Sequence, residues 1–251
     1  MEVIHLNNSI KITDPLVVTI GQFDGIHTAH QSLINKTVNH SKSQNAKSAV
    51  ITFIPHIDTV LRNLNPNDYL IDFNSKKEIL TQLNVDYLLV IDFNLEVSKI
   101  SHKDFFERYL NNLDIYEFIV GFDFTYGYLG NGNIHTIQDD YYKSAKVTVI
   151  SKQELIGEKI GSLEIKKALA EGNIAKANQL LGYNFFMNFQ VDYQKTNKIY
   201  LKAPNLSLLK KQDYHVLINN KEYNLTIGEE TFVEKDFKIS DNHFIKIIFI
   251  S

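Results

Sequence analysis

Five short apolar runs, separated by segments with helical periodicity, constrain the fold of this chain more than any other feature. The runs are "LVVTI" (16–20), "SAVITF" (48–53), "YLLVIDF" (87–93), "EFIVGFDF" (117–124) and "KVTVI" (146–150). Because they are mostly unbroken rather than alternating with polar residues, they are typical of strands covered on both faces. Their alternation with helices predicts an α/β fold built on a parallel, doubly wound sheet. Ligands of such sheets bind beyond the carboxyl ends of the strands.

Three capping boxes predict where helices begin. In this motif a Ser or Thr is followed three positions later by an acidic or amide side chain, and the pair binds backbone N–H groups of the first helical turn. The pairs are Thr28 with Gln31, Ser75 with Glu78, and Ser101 with Asp104. We expect the first of these helices to run through Leu33, Ile34 and Val38.

The pattern changes near residue 184. Before it, "ALAEGNIAKANQLLG" (168–182) predicts one helical stretch that ends at Gly182. After it, the chain is rich in β-type segments, and Asn219-Asn220-Lys221 predicts a hairpin turn. We therefore expect two domains, an α/β domain over 1–183 and a small β domain over 184–251.

The amino-acid composition excludes several classes of function for this chain. The 251 residues carry a net charge of −3, which argues against a nucleic-acid partner. There is no cysteine, so disulfides, thiolate metal sites and a cysteine nucleophile are excluded. The first residues lack the pattern of a signal peptide, and no apolar run reaches the length of a membrane span. We expect a cytoplasmic protein without a membrane partner.

The segment "GQFDGIHTAH" (21–30) is the strongest candidate for a site. It follows an apolar strand, turns at Gly25, and places His27 and His30 where a helix begins. A helix N-terminus attracts phosphate, and imidazoles there can donate hydrogen bonds to phosphate oxygens. Two other interpretations stay open at this point: a polar helix start, and part of a zinc site, which would need further ligands.

This segment and three others resemble a known family. "GQFDGIHTAHQSLI" is similar to GxFDGxHxGHxxLI of the bacterial FAD synthetases of the bifunctional riboflavin kinase type, in the HxGH nucleotidyltransferase superfamily. "TFIPH" (52–56) resembles their TFxPHP, and "VGFDFTYGYLGNG" (120–132) resembles VGxDFxFGxxxxG. "EKIGSLEIKKALAEGNIAKANQLLGYNF" (158–185) is similar to ISSTxIRxxLxxGDxxxAxxLLGxxY. The four motifs stand in the family's order.

The resemblance implies a Rossmann-like enzyme that transfers AMP from ATP to FMN, with Mg²⁺, and releases pyrophosphate. ATP and FMN would be its small-molecule partners. The implied catalytic residues are His27, His30 and Lys166. ATP would contact these histidines and Gly21, Phe23, Asp24, Gly25, Asp123 and Ser162. Flavin would contact Pro55, His56, Phe124 and Gly127, and Asp123 would approach the metal. Ordinary structural roles remain open for several of them, such as a strand-end carboxylate, a loop histidine or a solvated helix face.

The chain also departs from the family pattern. Ala29 replaces the glycine between the two histidines, and Gly161 and Leu163 replace a serine and a threonine of the fourth motif. Lys166 replaces an arginine, which keeps the charge and loses the planar two-pronged contact. The β-rich segment lacks the family's kinase motif, so we expect a reduced barrel-like remnant without riboflavin kinase activity.

Two alternatives to FAD synthesis remain at this point. One is a non-catalytic flavin- or nucleotide-binding protein, and the other is a nucleotidyltransferase for another small phosphorylated substrate. The sequence leaves the oligomeric state open.

Overall fold

The computed structural model describes residues 1–7, 9–63, 65, 68–141, 144–151, 161–195, 198–234 and 244–251. The chain divides into two compact units, one made of residues 1–66 and 72–158, the other of residues 67–71 and 159–251. None of the described helices combines the length and the apolar character needed to cross a lipid bilayer.

The first unit contains a six-stranded sheet in which every neighbouring pair of strands is parallel, in the order β1-β4-β3-β2-β5-β8. Its strands are β1 (Glu2–His5), β2 (Ile12–Ile20), β3 (Lys47–Ile54), β4 (Tyr87–Asp92), β5 (Leu113–Gly121) and β8 (Lys146–Ile150), and a separate two-stranded ribbon pairs β6 (Thr125–Tyr126) with β7 (Gly132–Asn133). The helices are α1 (Thr28–Ser43), α2 (Ile57–Arg62), α3 (Phe73–Gln82), α4 (His102–Tyr109) and α5 (Ile137–Asp140).

The predicted strands and the α/β class are confirmed. Consecutive residues of β2, β3, β4 and β5 are buried, so these strands are covered on both faces, as their unbroken apolar runs indicated. Two details differ. β5 ends at Gly121, so residues 122–124 form a turn instead of extending the strand. The sequence analysis missed β1, a short edge strand that is mostly exposed and therefore lacks an apolar run.

One of the three predicted capping boxes is present as expected. Ser101 caps α4, with its Oγ accepting from the N–H of Asp104 at 3.1 Å and donating to the Asp104 carboxylate at 2.7 Å. α3 is capped by Asp72, whose carboxylate accepts from the N–H of Ser75 at 2.7 Å, so the prediction for Ser75 was wrong. A carboxylate is a strong helix cap, and Asp72 lies three residues before Ser75, the correct spacing to accept from its N–H group. α1 begins at Thr28 as expected, but its N-cap residue is His27.

The second unit combines two helices with a closed six-stranded barrel. The helices are α6 (Ser162–Ala170) and α7 (Ile174–Leu181). The strands follow the order β10-β13-β12-β11-β14-β9 around the barrel, with bounds β9 (Phe186–Lys195), β10 (Lys198–Lys202), β11 (Gln212–Ile218), β12 (Lys221–Ile227), β13 (Thr231–Glu234) and β14 (Phe244–Phe249). The predicted small β domain is thus confirmed as a barrel.

Two local predictions in this unit have different outcomes. Asn219 and Asn220 form the predicted hairpin turn between β11 and β12, with φ angles of 50° and 62°. Asparagine tolerates this left-handed region better than most residues. The helical stretch predicted over 168–182 is instead two helices, because Gly172 (φ 77°) ends the first and the Asn173 side chain caps the second through the N–H of Lys176.

α6 and α7 group with the barrel, whereas the sequence analysis divided the chain at residue 184. The contacts explain the grouping. Gln212 Nε2 donates to the carbonyl of Gly172 at 3.4 Å, and Asn178 Nδ2 donates to the carbonyl of Phe249 at 3.0 Å. The boundary at 184 marks the change from helical to β-type sequence, while the helices belong to the compact unit that follows.

Candidate active site

The loop between β2 and α1 has an unusual backbone path. Phe23 (φ 50°), Gly25 (φ 75°) and Ile26 (φ 38°) all lie in the left-handed region, which Phe and Ile rarely adopt. The Phe23 and Ile26 side chains are buried, and burial of these two apolar groups holds the strained path in place. The loop therefore enters α1 in a defined geometry rather than as a free turn.

His27 and His30 stack on each other at the start of α1. Their ring centroids are 3.7 Å apart and the ring planes differ by 19°. The ring of Phe23 meets His30 edge-on at 5.2 Å between centroids. The first turn of α1 carries no acidic residue. Both imidazoles thus stand beside the N–H groups of a helix N-terminus, an arrangement that suits a phosphate ligand.

The environment of His30 favours its neutral form. Burial lowers the pKa of His30 well below 6.5, and the nearby charges of His27 and Lys76 lower it further. Nδ1 of His30 is buried and has no hydrogen-bond partner within the described ranges. A neutral imidazole carries one N–H donor, so His30 would meet a ligand as a hydrogen-bond donor without a positive charge.

Lys76 of α3 is part of this site, and the sequence analysis missed it. It is 7% exposed. Its Nζ donates to the Gln22 carbonyl at 2.6 Å and to Thr52 Oγ1 at 3.2 Å. Burial lowers the pKa of Lys76 to about 8, although the negative charge of Asp24 opposes this shift. The available signal was its position three and four residues before the buried Ile79 and Leu80, which places a lysine on the apolar face of α3.

The loop after β3 is bonded to the loop after β2. Gln22 Nε2 donates to the Phe53 carbonyl at 3.2 Å, and Gln22 Oε1 accepts from the N–H of Ile57 at 3.2 Å. Between them lie Pro55, which follows a cis peptide bond and is exposed, and His56. Nδ1 of His56 accepts from the N–H of Asp58 at 3.1 Å and caps α2. Pro55 and His56 therefore stand at the same edge of the sheet as the two histidines.

The loop after β5 carries the third group of predicted residues. Asp123 is exposed in the turn that follows the strand, and Phe124 stacks on Tyr126 at 5.5 Å between centroids. Gly127 has a φ of 72°, and a Cβ there would lie 2.6 Å from the backbone of His102. Packing against α4 is thus a sufficient reason for glycine at this position.

The order of the strands places two of these loops on either side of one crevice. β2 lies between β3 and β5. After β2 the chain adds β3 and β4 on one side of that strand, and later it adds β5 and β8 on the other side. The carboxyl ends of two such strands form the topological switch point at which doubly wound sheets bind ligands. The loop of His27 and His30 and the loop of Asp123 flank this crevice.

Ser162 and Lys166 belong to the second unit. Ser162 is the first residue of α6, and Lys166 lies one turn later, with Nζ 5.4 Å from the ring centroid of Tyr69. The neighbouring Lys167 is exposed and stands 4.0 Å from Glu171. The first residues of the fourth motif, 158–160, lie outside the described residues. That Ser162 and Lys166 act on the same ligand as His27 and His30 stays a prediction.

No group of three or more metal-binding side chains is assembled within the described ranges. His27 and His30, which one interpretation of the sequence assigned to zinc, stack face to face. The assignment of Asp123 to a metal also stays a prediction.

Comparison with known proteins identifies the family. The family model described as FAD synthetase matches residues 9–164, which includes the loops after β2, β3 and β5. This chain belongs to the FAD synthetase family. The resemblance stated from the four motifs is confirmed.

The relatives of this FAD synthetase family member include both longer and more similar-sized proteins. A bifunctional riboflavin kinase/FMN adenylyltransferase of Listeria monocytogenes is 30% identical over 85% of this chain and 70% of its own length. A protein named FAD synthetase from the same organism is 27% identical over 74% of this chain and 77% of its own length.

A solved structure supports the fold. The crystal structure of a protein from Streptococcus pneumoniae, described as a macrolide-efflux protein, superimposes with a TM-score of 0.83 at 20% identity. The superposition covers 99% of this chain and 89% of that one. At this identity the likeness concerns the fold, an α/β unit followed by a small barrel.

Proposed function

We propose that this member of the FAD synthetase family is an FMN adenylyltransferase, which transfers AMP from ATP to the phosphate of FMN and releases pyrophosphate. The observation that carries the proposal is the stacked pair His27 and His30 at the N-terminus of α1, beside the switch point of the sheet. The family match extends over this segment. Relatives named FAD synthetase and FMN adenylyltransferase support the same reaction.

The reaction needs positioning and charge stabilisation more than it needs a protein nucleophile. A phosphate oxygen of FMN attacks the α-phosphorus of ATP and forms the new P–O bond. The bond between that phosphorus and the oxygen bridging to the β-phosphorus breaks, and its electron pair leaves with pyrophosphate. The enzyme must align two polyanions and stabilise the charge that builds on the phosphoryl oxygens.

The residues at the switch point fit these tasks. We assign His27 and His30 as donors to phosphoryl oxygens, and the loop of Gly21, Phe23, Asp24 and Gly25 as the backbone that holds ATP. The N-terminus of α1 adds its dipole to the same region. We also assign Ser162 and Lys166 to the phosphates of ATP, as the family resemblance implies, with Lys166 supplying a positive charge.

Mg²⁺ would accompany ATP. Magnesium is usually held by one or two carboxylates together with substrate phosphates, and the exposed carboxylate of Asp123 at the end of β5 fits that role. When bound, the ion would neutralise charge on the departing pyrophosphate.

The flavin contacts belong to the loops after β3 and β5. We assign Pro55 and His56 to one side of the flavin and Phe124 to the other, with Gly127 setting the path of the second loop. FMN would be the only flavin substrate, because the barrel segment lacks the motif that the kinase module of the family carries. A cytoplasmic location belongs to the same proposal, since the reaction consumes ATP.

The test is direct. Purified protein is incubated with ATP and Mg²⁺, with FMN in one sample and riboflavin in another, and the flavins are separated by chromatography. We expect FAD from FMN, an equal amount of pyrophosphate, and no product from riboflavin. FMN or FAD formed from riboflavin would contradict the absence of kinase activity. If the folded protein binds FMN and ATP but forms no product, the proposed adenylyltransferase activity would be wrong and a binding role would be favoured.

A further inference from the structure

Lys76 connects three segments that are far apart in the sequence. Its Nζ donates to the carbonyl of Gln22 at 2.6 Å and to Thr52 Oγ1 at 3.2 Å, and Thr52 Oγ1 lies 3.2 Å from the same carbonyl. Gln22 belongs to the loop that carries the histidines, Thr52 to β3, and Lys76 to α3. These contacts tie the loop to the sheet at one backbone oxygen, five residues before His27.

Holding the Gln22 carbonyl with a buried ammonium group carries a large desolvation cost. Removing a lysine charge from water costs several kcal/mol unless the charge is compensated, and a neutral side chain could fill the same space. The two partners of Nζ are neutral oxygens. The charged and titratable groups that face it are Asp24 on the loop and His30, itself next to His27, on α1. The positive charge therefore points toward the residues that we assign to ATP.

We propose that Lys76 is a positioning residue for AMP transfer, whose buried ammonium fixes the carbonyl of Gln22 and thereby the placement of His27 and His30 against the phosphates. The inference rests on the proposed function. It adds a residue that touches neither substrate and acts through the loop. It also assigns a second effect to the same charge, which adds to burial and to His27 in lowering the pKa of His30.

The role gives Lys76 a signature in the pH dependence of the rate. The pKa of Lys76 is about 8, so its positive charge is lost as the pH rises through that value, and its hydrogen bonds to Gln22 and Thr52 weaken because they are no longer charge-assisted. The rate of FAD formation in the wild-type protein should fall on the alkaline side with an apparent pKa near this value. A lysine that only filled space would leave no such limb.

The experiment compares Lys76→Met, which keeps the length and removes the charge, with Lys76→Arg, which keeps the charge. Lys77→Met is the matched control, since Lys77 is the adjacent lysine of α3 and lies 5.2 Å from the ring of Phe73. For each protein kcat and the KM for ATP are measured between about pH 6.5 and pH 9.5. Thermal denaturation is measured in parallel.

We expect Lys76→Met to lower kcat by about 30-fold or more while KM for ATP changes by less than about 3-fold, because misplacement of catalytic groups acts on the reacting geometry. The alkaline limb should disappear in Lys76→Met and move above the measured range in Lys76→Arg, which should recover part of the lost rate. Lys77→Met should behave as the wild type. A Lys76→Met protein with wild-type kcat, or with an unchanged alkaline limb, would overturn the proposal.

A readout without turnover separates this inference from the proposed function. The histidine ring signals are titrated by NMR, with His30→Gln identifying the signal of His30. Lys76→Met should raise the pKa of His30, whereas Lys77→Met should not. Wild-type protein that makes no FAD would refute the function. An unmoved His30 pKa would refute the effect of the Lys76 charge on His30, whatever the activity. If Lys76→Met does not fold, the rate profiles of the wild type and Lys76→Arg decide, and an alkaline limb at the same pH in both would overturn the proposal.

Discussion

Two imidazole rings in face-to-face contact cannot both carry a charge without repulsion. Burial penalises the charged form of His30, and at a centroid separation of 3.7 Å a proton on one ring disfavours a proton on the other. The pKa of His30 is lowered for these reasons. The two imidazoles can each donate an N–H group to a phosphate. Both rings stand at the N-terminus of α1, where the helix dipole is positive.

Replacing His30 by alanine tests whether the imidazole acts in the transition state. We expect kcat to fall by about 100-fold while the dissociation constant of ATP, measured by calorimetry, changes by less than about 3-fold. His135→Ala is a suitable control, because His135 is an exposed histidine of the same unit. Equal losses of binding and turnover in His30→Ala, together with a lower denaturation temperature, would indicate a structural role for His30.

Lys76 also makes the stability of the fold depend on pH. The pKa of Lys76 is about 8 in the folded protein and 10.5 in an exposed reference state, so the unfolded chain holds more protons between these values. Raising the pH through this window therefore stabilises the fold, by up to about 3 kcal/mol.

Urea denaturation at the two ends of this window measures the effect. The free energy of unfolding of the wild type should rise relative to that of Lys76→Met, in which the titrating group is absent. A difference between the two proteins that stays constant across the window would show that Lys76 does not titrate there.

At the scale of elements, α1 is positioned at both of its ends. Its first turn follows the loop tied down by Lys76, and its last turn is held by His40, whose Nδ1 lies 3.0 Å from the carboxylate of Glu117 on β5. Glu117 is 1% exposed and also accepts from Thr148 Oγ1 and from Lys146 Nζ at 3.2 Å. Burial by itself would raise the pKa of Glu117, but these three partners together lower it below its ordinary value.

Glu117→Gln tests this anchor. The substitution keeps the shape and removes the carboxylate charge that hydrogen bonds from Thr148, His40 and Lys146 stabilise, so we expect a loss of about 2 kcal/mol in the free energy of unfolding near neutral pH. Because the pKa of Glu117 is lowered by folding, the loss should shrink as the pH falls below 4.5 and the wild-type carboxylate takes up its proton. Glu107→Gln, at an exposed position of α4, should change stability little. Equal stabilities of Glu117→Gln and wild type would show that the cluster does not anchor α1.

Local signals predicted the main strands and helices, missed the exposed edge strand β1, and gave the wrong helix boundary where two local signals competed. Ser101 was recognisable as a cap because its partner Asp104 stands in the right place. Asp72 and Ser75 both stood near the start of α3, and the stronger carboxylate cap determined the first residue. The break between α6 and α7 was visible in Gly172 and Asn173, but helix-forming residues on both sides hid it.

At the scale of the whole molecule, the protein has an α/β unit that holds the two stacked histidines and a second unit built on a closed six-stranded barrel. No cluster of three metal-binding side chains is present in the described part of the chain. In the proposed reaction Mg²⁺ is held by the phosphates of ATP together with Asp123, so we expect it to arrive with ATP.

Removal of metal by an excess of EDTA tests this expectation. FAD formation should stop, and adding Mg²⁺ should restore it, while the midpoint of thermal denaturation measured without ATP should stay the same. A lower midpoint after chelation would reveal a resident structural metal, since a metal bound only by the folded state stabilises it.

The sequence by itself determined the class of fold, the strands that build the sheet, the small β-rich part and the segment that carries the two histidines. Apolar runs, glycine turns and motif spacing are local properties, and each acts through neighbours in the chain. Only the tertiary structure decided that Lys76 is buried beneath the loop of Gln22, 54 residues away in the sequence. It also decided that burial lowers the pKa of His30 and that the two helices after residue 161 group with the barrel. Burial and electrostatics depend on groups from distant segments, and no local pattern records which of them will meet.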